Sequence, residues 1–383
     1  MRHETGRPLI ARLKICGDMK VDENRMPLDG RIFFTPETIK SPETLKLVKG
    51  YSMRVSIVFG QQGPTAVLRL LKSANEGSFK LDRLGFRPHV LQGLEEVLQT
   101  PNGVVLVTGP TGSGKTSTLY AALKRLDDGE TNIITAEDPV EVSLTGITQV
   151  QVNRAINLGF PEILRSFLRQ DPDVILIGEI RDQETAEVAV QAALTGHLVF
   201  ATVHTNDAFG TLQRLRSLGI DNSKLQDTIR AVLSQRLVRK VCTDCRQCVD
   251  IAPDLNRTVG ENPDGSVPFA QPVMTFKSTG KNPAGLNCKP CKGTGFTGVF
   301  PVAEIWIPGI KEKDLIIEGN TRHEALYEVA RKAGMVPIMH SALMDVIDGR
   351  TSFQECLARV FSVQDLRQRR SEVIALLNGN PGA

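Results

Sequence analysis

The chain has 383 residues, too many for one ordinary hydrophobic core, so two to four domains of roughly 100 to 200 residues are expected. Its 46 Lys and Arg against 43 Asp and Glu leave a net charge of +3, with no basic tail or arginine-rich arm, which argues against a direct nucleic-acid partner. Seven cysteines, an odd number, follow an N-terminus (MRHETGRPLI) without the apolar core of a secretion signal, so thiolates in a reducing compartment, by default the cytoplasm, fit better than a disulfide framework.

Residues 1–85 mix short apolar runs with turns, such as Arg54–Phe59 (RVSIVF) and Ala66–Leu71 (AVLRLL), and read as a small α/β domain. From 86 to 238 apolar strands alternate with helical patterns, the signature of a parallel sheet covered on both faces. The strands drawn from this pattern are Val104–Thr108, Asn132–Ala136, Val174–Gly178 and Leu198–His204. The first runs into GPTGSGKTST, where Gly109, Gly114, Lys115 and Thr116 fill every fixed position of the G-x-x-x-x-G-K-[ST] phosphate cradle. Gly109, Pro110, Thr111, Gly112, Ser113, Gly114, Lys115, Thr116 and Ser117 are the candidate nucleotide-binding residues. Four backbone N–H groups and a helix N-terminus would converge there, which suits a triphosphate. Lys115 would reach the β- and γ-phosphates of ATP, and the Thr116 hydroxyl would bind Mg²⁺.

Next along the chain, TAEDPVE sets Glu137, Asp138 and Glu141 just past the second strand. Like charges this dense repel unless a cation or basic partner shares them. They form either an exposed turn fixed by Pro139 or a second carboxylate near the Mg²⁺–water shell, with Glu137 the best candidate. The segment DPDVILIGEIRD places Glu179 at the C-terminal end of the third strand, where open parallel sheets bind ligands. There it can orient water toward the γ-phosphate. Gly178 holds the place where many such enzymes carry Asp, so direct metal ligation from this strand is not expected.

The uncharged stretch Val188–Asn206 is nearly long enough to span a membrane. It contains Gln191, His197 and His204, and Gly196 divides it into a helical half, capped by Asp182, and a strand half. A buried helix followed by a buried strand is therefore expected. His197 and His204 flank that strand, as structural residues or as sensors of the γ-phosphate.

Cys242-x-x-Cys245 and Cys288-x-x-Cys291 form two knuckles whose four thiolates would close a tetrahedral, structural Zn²⁺ site, with Cys248 as a spare thiol. Residues 250–287, rich in Pro, Gly, Asn and Asp, read as a loop-like insertion. After 306 the pattern is helical, over Arg322–Ala333, Ile338–Ile347 and Val363–Leu377.

GPTGSGKTSTLY, TAEDPVE, RQDPDVILIGEIRD and LTGHLVFATVHTND, in that order, resemble the Walker A, Asp-box, atypical Walker B and His-box of the type II secretion and type IV pilus assembly ATPases. The resemblance covers about residues 8–305. It implies an α/β fold with a RecA-like P-loop NTPase core, a PAS-like N-terminal domain that lacks its first half, a zinc-binding insertion and a C-terminal helical region. The corresponding segments are 1–85, 86–238, 239–305 and 306–383. It also implies a homo-hexamer, peripheral at the cytoplasmic face of the inner membrane, whose ATP hydrolysis moves a polytopic platform protein together with associated assembly proteins.

Carried onto this chain, Glu179 is the catalytic glutamate, Glu137 belongs to the Asp-box, and His197 and His204 fill the His-box. Arg31, Arg54 and Arg69 resemble arginines that the N-terminal domain brings toward ATP. The paired cysteine knuckles resemble those of the assembly branch rather than the retraction motors. The alternatives are a conjugative or DNA-uptake motor of the same superfamily and a non-hydrolysing, nucleotide-dependent scaffold. The domain that docks many such motors on a membrane partner is absent from the sequence, which implies either a fragment or a different mode of recruitment.

Overall fold

Three strands, β1 (Leu28–Phe33), β2 (Tyr51–Gly60) and β3 (Gly63–Lys72), pair antiparallel in that order, and the helix His3–Cys16 packs on one face of the sheet. The computed structural model describes residues 3–36, 38–48, 51–72, 77, 79–281 and 285–378. It divides into two units, Met1–Ser78 with Glu141–Ser143 and Phe79–Val140 with Leu144–Ala383. In the first, Val55 and Ile57 of β2 are fully buried against Leu13, Met19 and Ile32, while Arg54 and Val58 point to the other face. This is an α/β arrangement, as the short apolar runs indicate.

The larger unit contains β4 (Gly103–Thr108), β5 (Ile133–Glu137), β6 (Thr148–Gln151), β7 (Val174–Ile177), β8 (Leu198–Val203), β9 (Ile229–Val241), β10 (Arg246–Asp250), β11 (Met274–Ser278) and β12 (Phe296–Trp306). Seven of them form one sheet in the order β12-β9-β4-β8-β7-β5-β6, and β10 pairs with β11 separately. All neighbours in the large sheet run parallel except β12, which pairs antiparallel with β9 at the edge. Every residue of β4, β5, β7 and β8 is buried. Helices on both faces of a parallel sheet exclude water from both sets of side chains, which is why these strands read as unbroken apolar runs. Each of the four lies within one residue of its expected bounds.

The uncharged stretch resolves into the helix Gln183–Leu194 and β8. Asp182 caps the helix by accepting from the Thr185 N–H at 2.8 Å, and Gly196, at φ +110°, turns the chain into the strand. No helix among the described residues is long and apolar enough to cross a membrane.

Two expectations need correction. Residues 250–287 are not all loop: besides β11 they contain the helix Ala252–Val259, whose Leu255 and Val259 enter a core with Val238, Phe269, Phe300 and Leu343. Asp250 Oδ1 fixes its start by accepting from the Ala252 and Val273 N–H groups, both at 2.9 Å. A helix this short, set among turn-forming residues, leaves little periodicity to read. Val363–Leu377 is two helices, Val363–Gln368 and Arg370–Leu377. Between them Arg369 donates to both Glu324 oxygens at 2.6 and 2.7 Å and lies 3.7 Å over the Tyr327 ring.

Candidate nucleotide-binding and metal sites

β4 ends at the cradle, and backbone geometry dictates its glycines. Gly109 sits at φ +144°, and a Cβ there would stand 2.4 Å from the Gln235 carbonyl oxygen, so no other residue fits. Gly114, also left-handed, caps the helix Lys115–Leu126, whose first turn exposes Thr116 and Ser117. Pro110, Thr111 and Gly112 are the exposed bend. Ser113 is buried, and its Oγ has no hydrogen-bond partner among the described residues. Lys115 Nζ donates to the Gly109 carbonyl at 2.8 Å and the Pro110 carbonyl at 3.2 Å. Burial pushes its ammonium below the ordinary range, the Glu179 charge opposes that, and Arg236 adds to it. A concave loop floored by glycine, with a desolvated ammonium and an unpartnered hydroxyl, fits a phosphate chain and its Mg²⁺.

Because β4, β5, β7 and β8 are parallel, their C-terminal ends share one edge with the cradle. The turn carrying Glu179 hangs between its neighbours: Gly178 N–H donates to Ala136 O at 2.8 Å, Ile180 N–H to Thr202 O at 2.9 Å, and Thr202 Oγ1 to Gly178 O at 2.6 Å. A Cβ on Gly178 would come within 3.3 Å of the Ala136 oxygen and Glu137 Cα, so this strand offers its carboxylate one position later. Glu179 Oε2 accepts from Arg181 Nε at 2.5 Å and lies 3.6 Å from His204 Nε2, and the His204 side chain is half exposed. Lys115, Glu179 and His204 thus come together.

His197 does not join them. It stands at the opposite end of β8, where its N-terminal neighbours pair, and Ala192 O holds its Nδ1 at 2.8 Å. A six-residue strand separates the two histidines by roughly 20 Å. Glu137 ends β5 at the correct edge but is buried: its oxygens accept from Tyr120 Oη at 2.5 Å, Thr135 Oγ1 at 2.7 Å and Gln149 Nε2 at 3.0 Å. Three protein donors occupy a carboxylate that the sequence places near the Mg²⁺–water shell. Asp138, the next residue, pairs with Arg154 at 3.0 Å.

Two site residues escape sequence reading. β9 lies beside β4 and continues beyond it, so Gln235 and Arg236 arrive at the cradle. Gln235 is fully buried; its Nε2 donates to Ser113 O at 2.7 Å and its Oε1 accepts from Thr118 Oγ1 at 2.9 Å. The one available signal was the polar stretch Ser-Gln-Arg between apolar residues in LSQRLV.

In the smaller unit, Arg31, Arg54 and Arg69 stand directly opposite one another across β1, β2 and β3. Arg54 and Arg69 are exposed, and Arg31 donates to Ser52 Oγ at 3.2 Å through Nε and Nη2. Like charges in directly opposed positions are unfavourable unless an anion shares them.

The four knuckle cysteines are buried together, with Sγ–Sγ distances of 3.8 Å for Cys242–Cys288 and 3.7 Å for Cys245–Cys291 and all four sulfurs within 4.8 Å of one another. A tetrahedron with Zn–S bonds of about 2.3 Å has edges of about 3.8 Å. The donor set therefore fits Zn²⁺, with Gly295 N–H aimed at Cys291 Sγ from 3.3 Å. Burial pushes the Cys288 thiol up to about 12. Cys248 is exposed on β10, outside this cluster.

Residues 2–358 match the family described as Type II/IV secretion system protein. The chain is 39% identical to the Type IV pilus assembly ATPase PilB of Thermus thermophilus, over 92% of this chain and 37% of that protein. It is 41% identical to the Type II secretion system protein HxcR of Pseudomonas aeruginosa, over 91% and 66% respectively. The chain thus spans between about a third and two thirds of these relatives' lengths. Among solved structures, the ATPase DotB of Yersinia pseudotuberculosis has a similar fold, with a TM-score of 0.58 and 21% identity over 94% of this chain and 81% of that one.

Proposed function

The chain belongs to the Type II/IV secretion system protein family, and from that membership we propose that it is a motor ATPase that hydrolyses ATP at the 109–117 cradle. The observation that carries the reading is the glycine-lined loop at the end of β4, with Lys115 Nζ folded onto its carbonyls, at the same C-terminal sheet edge where the end of β7 delivers Glu179. Backbone N–H groups of the cradle hold the phosphates, and Lys115 exchanges its two carbonyl partners for phosphate oxygens. The exposed Thr116 hydroxyl would hold Mg²⁺, which would supply positive charge to the transferred oxygens. Glu179 orients the attacking water, and His204, half exposed beside it, donates to phosphate and changes partner on hydrolysis. Glu137 braces the end of β5 against Tyr120 rather than meeting the ion. Arg31, Arg54 and Arg69 supply further positive charge to the phosphates.

Cys242, Cys245, Cys288 and Cys291 would hold a structural Zn²⁺ in residues 239–305, and a set of four thiolates would leave no coordination position for catalysis. The relatives' names connect them with type IV pilus assembly and type II secretion. On that basis the chain works as a homo-hexamer at the cytoplasmic face of the inner membrane, moving a polytopic platform protein in the direction of filament extension. Purified protein given Mg-ATP should release phosphate, and Glu179→Gln should keep its affinity for ATP while releasing phosphate roughly a hundredfold more slowly. Equal rates for the two proteins remove Glu179 from the chemistry. No phosphate from either favours a nucleotide-dependent scaffold.

A further inference from the structure

Glu304 on β12 is buried, and each of its carboxylate oxygens accepts from the backbone of a different part of the molecule. Oε1 takes the Ala208 N–H at 3.1 Å and Oε2 takes the Ile338 N–H at 2.8 Å. Ala208 lies in the loop that begins with His204, and Ile338 is the first residue of the helix Ile338–Ile347. One side chain therefore ties the loop beside the cradle to the C-terminal helices.

The same loop is tied to the cradle at its other end. Thr108, the last residue of β4, donates through Oγ1 to Thr205 O at 2.8 Å and accepts from the Thr205 N–H at 3.0 Å. Arg236 donates to Asn206 O at 2.7 Å while its charge also acts on Lys115 and Glu304. Next in the loop, Asp207 caps the Gly210 N–H at 2.7 Å and lies 3.6 Å from His323. Phe209 completes the attachment by packing with ring centroids 5.1 Å from Trp306, 5.3 Å from His323 and 6.4 Å from Tyr327. A carboxylate is costly to bury, and an apolar residue on β12 would pack here without that cost. Both oxygens are nevertheless used, one on each of two separate segments, directly beside the longer route through Phe209, Tyr327, Glu372 and His340.

We infer that Glu304 is a positioning residue that couples the 204–209 loop to the helix Ile338–Ile347, so that whatever occupies the cradle alters the C-terminal helices. The coupling rests on the reading of the cradle as a nucleotide site. Movement of the loop when His204 takes a phosphate partner changes where Ala208 N–H points, and Glu304 can follow only by shifting its grip on Ile338.

Two substitutions break the link at different places. Glu304→Gln presents an amide nitrogen to one of the two N–H groups, and Ile338→Pro removes the second donor at a first helical position where proline is tolerated. Amide exchange of the full chain is followed with and without Mg-ADP and a non-hydrolysable ATP analogue, and nucleotide affinity is measured alongside. In the unmodified protein, nucleotide should slow exchange at least tenfold in both 204–209 and 338–347. In both variants nucleotide should still bind and protect 204–209, while the change at 338–347 disappears. Undiminished transmission to 338–347 in variants that bind nucleotide overturns the coupling, as does protection confined to the loop in the unmodified protein. Failure of the unmodified protein to bind nucleotide at all overturns the nucleotide reading itself, and the coupling with it.

Discussion

Gln235 places an amide between the cradle and the helix that follows it, holding Ser113 O with its nitrogen and Thr118 Oγ1 with its oxygen in a fully buried position. Gln235→Leu leaves Ser113 O without that donor, which should cost about 2 kcal/mol in unfolding free energy and weaken ATP binding by roughly tenfold. Chemical denaturation together with nucleotide titration measures both, and unchanged affinity would mean that the loop keeps its shape unaided. Glu304 gives a pH dependence. Burial, the largest cause, and the nearby Asp207 charge outweigh the two N–H groups and Arg236, raising its carboxyl from an ordinary 4.5 to about 7. The folded chain therefore holds this proton more tightly than the unfolded chain, so the contribution is complete below about pH 4.5 and is lost as pH rises to about 7. The change is on the order of 3 kcal/mol. Thermal unfolding of the unmodified protein and of Glu304→Gln should converge at low pH and separate between pH 5 and 7, and parallel curves would place the proton elsewhere. Lys115, Thr116 and Glu179 were legible because a motif fixes each by its place in a short segment. Gln235 and Glu304 were not, since a polar residue in a buried strand announces nothing until the partner strands and loops are known.

At the scale of elements, the cysteine knuckles illustrate how a local pattern depends on what surrounds it. Their spacing indicated a four-thiolate site, and the flanking strands β9 and β12 turn out to be neighbours in the large sheet, paired from Val241↔Phe296 to Val232↔Trp306. That antiparallel pair brings the two knuckles together across a long intervening segment. Purified native protein should contain about one zinc per chain by elemental analysis, and Cys288→Ser with Cys291→Ser should abolish it. Amide exchange should then rise across 239–305 and along the β9–β12 edge while β4 stays protected. Zinc-free native protein with a protected 239–305 segment would contradict the assignment. The helix Gln183–Leu194 was readable to its cap because Asp182, the alanine-rich face and Gly196 are all local signals. The helix Ala252–Val259 was hidden because its apolar residues acquire meaning only against the core they join.

For the whole molecule, the smaller unit contributes a row of three arginines that exists only through strand register: one residue of slippage would send β2's Arg54 to the opposite face. Arg54→Ala with Arg69→Ala should lower kcat by roughly a hundredfold or more. The same change should leave stability unchanged or raise it by a few tenths of a kcal/mol, because opposed like charges are relieved. Full activity with unaltered stability would make the row an ordinary exposed face. The amino-acid sequence by itself determined the glycine-lined loop after β4, the acidic residue after β7, the buried parallel strands and the clustering of four cysteines, since each depends on chain geometry over a dozen residues or fewer, on uninterrupted apolar runs or on paired short spacings. Tertiary structure alone decided that His204 meets Glu179 while His197 lies a strand's length away, that Glu137 is consumed by Tyr120, Thr135 and Gln149, that Gln235 reaches the cradle, and that Arg236 and Glu304 hold the loop beside it. These outcomes follow from strand order, direction and register, which bring together residues far apart in the chain and which no short segment encodes.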